Sequence, residues 1–111
     1  MELQKFKNLI YRGYYACKSG YELLTSEEEK NVELALFYIN QANVFITNAY
    51  CAYDDLETDQ PLGFLEDLFS EFYSFVDEVF DCVKTDHPHQ WSMYHYDRLE
   101  KYFDTFRNSN N

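Results

Sequence analysis

Residues that break or staple a fold are scarce in this chain: its 111 residues include three glycines, two prolines and three cysteines. So little proline and glycine, beside 20% aromatic side chains, excludes a disordered or low-complexity polypeptide. Cys17, Cys51 and Cys82 are odd in number, far apart and without C-x-x-C spacing, so neither a disulfide framework nor a zinc or redox motif is present. The expectation is three buried thiols in a reducing compartment. Basic residues are scarce too, with nine Lys and Arg against 20 Asp and Glu, a formal charge of -11 and a pI near 4.5. Phosphate neutralisation needs an excess of cations, so direct binding to DNA, RNA or an anionic membrane is not expected, which leaves a basic protein as the partner class.

Long apolar runs are also missing. The uncharged stretch from Leu34 to Tyr53 has the length of a membrane span, but Asn40, Gln41, Asn43, Thr47 and Asn48 crowd its middle. Amides without partners are costly in hydrocarbon, so no membrane span is expected there. The first twenty residues alternate lysines with aromatics and offer no continuous apolar core of an export signal, and the location expected is cytoplasmic.

Motifs that name a reaction are absent: there is no G-x-S-x-G, no phosphate-binding glycine loop and no H-E-x-x-H. Carboxylate pairs occur at Asp54-Asp55 and Asp77-Glu78. General acid and base work needs one carboxyl desolvated and the other ionised, an asymmetry that exposed helix acids do not supply. Asp86, His87 and His89 about Pro88, with Cys82 before and His95 after, form the one cluster with metal-ligand residue types, and no standard zinc spacing is met. A capped turn and a core-edge histidine account for it. The expectation is a non-enzymatic protein without metal or cofactor.

What the chain does have is apolar periodicity. Its length suits one domain with a core of its own, expected over residues 1–108 with a frayed tail at 109–111. Leu3, Phe6, Ile10, Cys17 and Leu24 form a heptad-like stripe that predicts a first helix from about Glu2 to Leu24. Gly13 and Gly20 share that stripe. They mark either a strip where a neighbouring backbone comes close or, at Gly20, the helix tapering into a loop. Ser26 with Glu29 three positions on predicts the capped start of a second helix. Val32, Leu36, Ile39, Ile46 and Tyr50 give it one apolar face, and Leu34, Phe45 and Ala52 a second, so it is expected to be buried on much of its circumference at the centre of a bundle. Asp54 to Gly63 reads as the longest connection. Asp86 and Pro88 sit where a fourth helix, from about His89 to Arg107, would begin. With the third helix between these breaks, the fold expected is all-α, a single-domain antiparallel bundle of about four helices.

The third helix separates its faces cleanly. At 100° per residue, Glu66, Asp67, Glu71, Asp77, Glu78 and Asp81 share an arc of roughly 140° with only Ser70 and Ser74, opposite a face of Leu, Phe and Val. No lysine follows these acids at i+4 to pair with them. From Glu66 to Asp81 is about 22 Å of helix, roughly one negative charge per 4 Å, close to the spacing of phosphates along one nucleic-acid strand. Residues 26–86 hold fifteen acids and two lysines, net -13, and the two ends hold five acids and seven Lys or Arg, net +2. Self-repulsion of that size persists either for solubility or because a cationic partner relieves it.

Eleven tyrosines are many for this length, and Tyr11, Tyr14, Tyr15, Tyr73, Tyr94 and Tyr96 fall near the borders of apolar and polar faces. There a ring extends the core while its hydroxyl stays wet, an arrangement that also suits interfaces. The functional expectation is a protein-binding module whose Glu66, Asp67, Glu71, Asp77, Glu78 and Asp81, edged by Tyr73, occupy the basic surface of a nucleic-acid-binding partner. Phage and mobile-element inhibitors, anti-CRISPR proteins among them, offer a class analogy in acidity and size. The alternatives are an immunity or antitoxin-like protein acting on one cognate partner through shape and aromatic contacts, and a structural homodimer formed through the Gly13/Gly20 strip or exposed tyrosines.

Overall fold

A computed structural model of the chain describes residues 1–56, 58, 62–86 and 90–109. The fold is all-α, with four long helices and no strand among the described residues: α1 (Leu3–Thr25), α2 (Val32–Ala52), α3 (Phe64–Thr85) and α4 (Gln90–Ser109), with a short 3-10 turn at Tyr53–Asp55. The chain divides into two compact units, Met1–Gln60 and Pro61–Asn111, and each is a hairpin of two helices. No helix is long and apolar enough to cross a membrane.

The first hairpin is built on small residues. On α1 the buried positions Phe6, Ile10, Gly13, Cys17, Gly20 and Leu24 recur at alternating steps of four and three, the spacing of a seam between two helices. On α2 the buried set is Ala35, Ile39, Ala42, Ile46 and Ala49, with the same rhythm. Gly13 lies against Ile46, Gly20 against Ile39 and the ring of Phe6 near that of Tyr53, so the two helices run antiparallel. A methyl group on Gly20 would stand 2.8 Å from the carbonyl oxygen of Ala35, and one on Gly13 would stand 2.6 Å from Cγ1 of Ile46. Both glycines are therefore sites of close approach, and α1 continues five residues past Gly20 to Thr25 without tapering there.

The turn between them departs from expectation. Ser26 Oγ does accept the Glu29 amide at 2.9 Å, but Ser26 still closes α1, its own N–H donating to the Glu22 carbonyl at 3.0 Å. Helix α2 starts later, where Asn31 adopts an extended backbone and its Oδ1 accepts from Leu34 N–H at 3.0 Å. The Asn31 amide reaches back to the Leu23 carbonyl at 3.1 Å and ties the reversal to the end of α1. A helix begun at Ser26 would leave no residues for that reversal.

Nor is α2 buried on much of its circumference. Its fully buried positions are the narrow Ala/Ile stripe, while Leu34, Phe37, Val44 and Tyr50 are exposed. Cys51 is exposed as well, in contrast to Cys17 and Cys82, which are buried as expected.

The second hairpin is built on large residues. Phe69, Phe72, Phe75, Leu65, Leu68, Val76 and Val79 are buried on α3, and Ser92, Tyr96, Leu99, Phe103 and Phe106 on α4. Rings of Phe64 and Phe106 (6.5 Å) and of Phe75 and Tyr96 (5.7 Å) set these helices antiparallel. Ser92, fully buried, shares a hydrogen bond with the Cys82 thiol, so its hydroxyl is satisfied. Asp86 does not open α4. It closes α3, in the left-handed conformation (φ 56°, ψ 37°) with its N–H donating to the Cys82 carbonyl, a conformation that a short polar side chain tolerates. His87, Pro88 and His89 lie outside the described residues, and α4 runs through Ser109.

Two outcomes follow from this packing. Gly20→Ala improves helix propensity by about 1 kcal/mol yet must displace a backbone carbonyl, an overpacking cost of about 1–3 kcal/mol; the net change expected is destabilising and larger than for Gly13→Ala, where the neighbour is a side chain. Urea titration of both variants measures it. Burial pushes the Cys17 thiol up, and burial, followed by the charges of Glu78 and Asp81, pushes Cys82 up. Thiols that hold their protons longer in the folded chain stabilise it below the ordinary thiol range and lose that contribution as pH rises above it. Ellman's reagent should titrate Cys51 rapidly in the folded protein and reach Cys17 and Cys82 only on unfolding, and stability should decline above about pH 9.

Candidate protein-binding surface

Helix α3 carries the acidic arc because its apolar residues are spaced to bury the opposite side. Glu66, Asp67, Asp77 and Asp81 are exposed, and Glu71 and Glu78 are half-buried at the margin that faces α4. Among the described residues Glu66, Asp67, Asp77, Glu78 and Asp81 make no ion pair. Glu71 differs. Its Oε2 lies 3.0 Å from His95 Nδ1, its Oε1 accepts from Arg98 Nε, and its side chain is 13% exposed. This carboxylate joins the two helices, and the cation that compensates it comes from α4.

Arg98 extends the arrangement outwards. Its guanidinium is held charged first by the hydrogen bond to Glu71 and then by that residue's charge, and its Nη1 donates to the Tyr94 hydroxyl at 3.2 Å. The same guanidinium lies 5.6 Å from the centre of the Tyr94 ring, a cation–π contact. Trp91 meets Tyr94 edge to face at 6.1 Å, and the two side chains are 57% and 48% exposed. Trp, Tyr and Arg are the residue types that dominate binding energy at protein interfaces. Here they stand on α4 at i, i+3 and i+7, fixed in place by Glu71. Tyr73 is half-buried on the other margin of the acidic arc, its ring against Phe72 at 5.5 Å.

The surface is thus an acidic ridge with aromatic flanks. The six acids and Tyr73 expected from the sequence all lie on α3, but Glu71 is taken up by the hairpin. Trp91 and Arg98 are the additions. Their i, i+7 spacing is visible in the sequence, whereas their place beside the acids depends on the pairing of α3 with α4. His95 is engaged by Glu71, and among the described residues no group of three or more His, Cys, Asp or Glu side chains is placed to hold a metal ion. No protein-family model matches the chain, and no curated protein or solved structure shows significant similarity to it.

The two kinds of acid should respond oppositely to neutralisation. Glu71→Ala removes the partner of His95 and Arg98 and should lower the thermal midpoint. Asp77→Asn and Asp81→Asn relieve repulsion among unpaired carboxylates near a helix C-terminus and should raise it slightly at low salt, an advantage that fades as salt is added. Thermal scans at two ionic strengths measure both.

Proposed function

We propose that the protein is a non-enzymatic, cytoplasmic protein-binding module whose α3 ridge occupies the basic nucleic-acid-binding surface of a partner and so inhibits it, in the manner of phage and mobile-element inhibitors such as anti-CRISPR proteins. The observation that carries this reading is the run of unpaired acids, Glu66, Asp67, Asp77, Glu78 and Asp81, on one side of a helix fixed by a phenylalanine-rich hairpin. Such a ridge offers a cationic groove two groups of carboxylates, Glu66 with Asp67 and, about 15 Å further along the helix, Asp77, Glu78 and Asp81, on a scaffold that loses little freedom on docking. The chain's own charge of -11 keeps nucleic acid away, so the partner's groove is the complementary surface.

A second reading is favoured by Trp91 and Tyr94. Their exposure beside the ridge suits an immunity or antitoxin-like protein that recognises one cognate partner by aromatic contacts, with the acids steering the encounter.

The test is capture of partners from nuclease-treated host lysate on tagged protein, across a salt gradient. A nucleic-acid-binding protein should be retained, released by salt and displaced by added DNA or RNA. Asp77→Lys with Asp81→Lys should weaken its binding roughly tenfold to a hundredfold at low salt, while Trp91→Ala should cost affinity that salt does not alter. Retention indifferent to charge reversal and to competing nucleic acid, but lost with Trp91→Ala, selects the second reading; retention indifferent to both variants removes both.

A further inference from the structure

The first hairpin carries an arginine that the chain itself does not compensate. Of the three arginines, Arg98 is held by Glu71 and Arg107 by Asp104, whereas Arg12 makes no ion pair, hydrogen bond or ring contact among the described residues. In a chain with 20 acids against nine Lys and Arg, a guanidinium left without a carboxylate is out of keeping. It stands at a groove of about 410 Å³ between α1 and α2, where Tyr11, Tyr15, Tyr38 and Phe45 supply four rings and Ser19 and Gln41 the polar groups. That volume falls within the roughly 300–1,000 Å³ of small-molecule sites, and mostly aromatic walls with a few polar groups are their usual composition. The groove follows from the packing of the hairpin: the seam of Gly, Ala and Ile is too narrow to take rings, so they line its margin.

We propose that this groove is a binding site for a small aromatic carboxylate, its ring against Tyr15, Tyr38 and Phe45 and its carboxylate on Arg12. Charge selects the ligand. A guanidinium edge matches a carboxylate with two N–H donors to two oxygens and takes up one negative charge. A phosphate monoester would bring nearly two charges into a chain of -11 with one arginine to meet them. A quaternary ammonium, which other aromatic-lined sites take, is turned away by Arg12. The surroundings agree. Residues 1–21 hold Lys5, Lys7, Arg12 and Lys18 against Glu2 alone, and α2 has no charged residue after Glu33. Because Gly13 meets Ile46 and Gly20 meets Ile39, Arg12 and Phe45 stand at one end of the groove and Ser19 and Tyr38 at the other. Glu22 lies beyond the Ser19 end, about 15 Å of helix from Arg12, so the carboxylate is directed to the Arg12 end. The groove is open and Arg12 is exposed, so the complex is weak, with a Kd of about 0.1–1 mM.

Amide chemical shifts of the full chain, titrated with 1-naphthaleneacetate and with its neutral amide, test this. The acid should saturate, move residues 11–19 of α1 and 38–45 of α2, and bind at least about fivefold tighter than the amide at low salt. Arg12→Gln, at an exposed position, should bring the acid down to the affinity of the amide, and Tyr15→Ala should weaken both severalfold, each with an unchanged far-UV spectrum. Asp77→Lys with Asp81→Lys should leave the preference for the acid in place, so a failure of the acidic-ridge reading does not touch this one. Equal affinity for acid and amide, shifts confined to α4 around Trp91, no saturation up to about 10 mM, or binding of a peptide ending in phenylalanine without binding of the free acid would overturn the proposal.

Discussion

The close approach of α1 and α2 at Gly13 and Gly20 governs the first hairpin. Where one helix offers glycine, the other must come near enough to fill the space, and it can do so only with a slim face. Helix α2 meets this with Ala35, Ala42 and Ala49 alternating with Ile39 and Ile46. Each isoleucine fits over a glycine, and each alanine lets the axes stay close. The larger apolar residues of α2 then have no room on the inward side. Phe37 and Val44 are exposed because the seam that holds the hairpin together is too narrow to include them.

The second hairpin solves the same packing problem with volume. Phenylalanines on α3 keep its partner helix at the distance that long side chains need to cross the margin, and Glu71, His95 and Arg98 meet there. Arg98 suits this role because a planar guanidinium can hold a carboxylate at one edge while its face lies over the Tyr94 ring. The acidity of the middle of the chain is accordingly offset at one point in space: Arg98 of α4 neutralises Glu71 of α3. The remaining carboxylates of α3 stay unpaired, and their mutual repulsion is opposed by the burial of Phe69, Phe72 and Phe75, each fully buried apolar side chain contributing about 1.5–3 kcal/mol.

Much of this was legible in the residues. The stripe of Phe6, Ile10, Cys17 and Leu24, the two glycines within it and the acid and apolar arcs of α3 are properties of one helix, and a period of 3.6 reveals them without a partner. What escaped depends on pairing or on competition between neighbouring caps. Ser26 and Asn31 are both good capping residues, and only the reversal of the chain decides that Asn31 starts α2. Asp86 can open a helix or end one; its own left-handed backbone, with its N–H on the Cys82 carbonyl, settles it. Two apolar faces on α2 suggest burial on both, since periodicity cannot tell a face covered by its own chain from one left exposed. The same limit hid the exposure of Cys51 and the place of Trp91 beside the acids.

The contrast between α2 and α3 bears on why so acidic a chain holds one helix with a single charged residue, Glu33. If solubility alone had shaped the surface, charge would be spread over every exposed face, and the outer side of α2 would carry its share. Instead Phe37, Gln41, Val44 and Asn48 stand exposed without a charge among them, while α3 concentrates carboxylates beyond what its own helix can compensate.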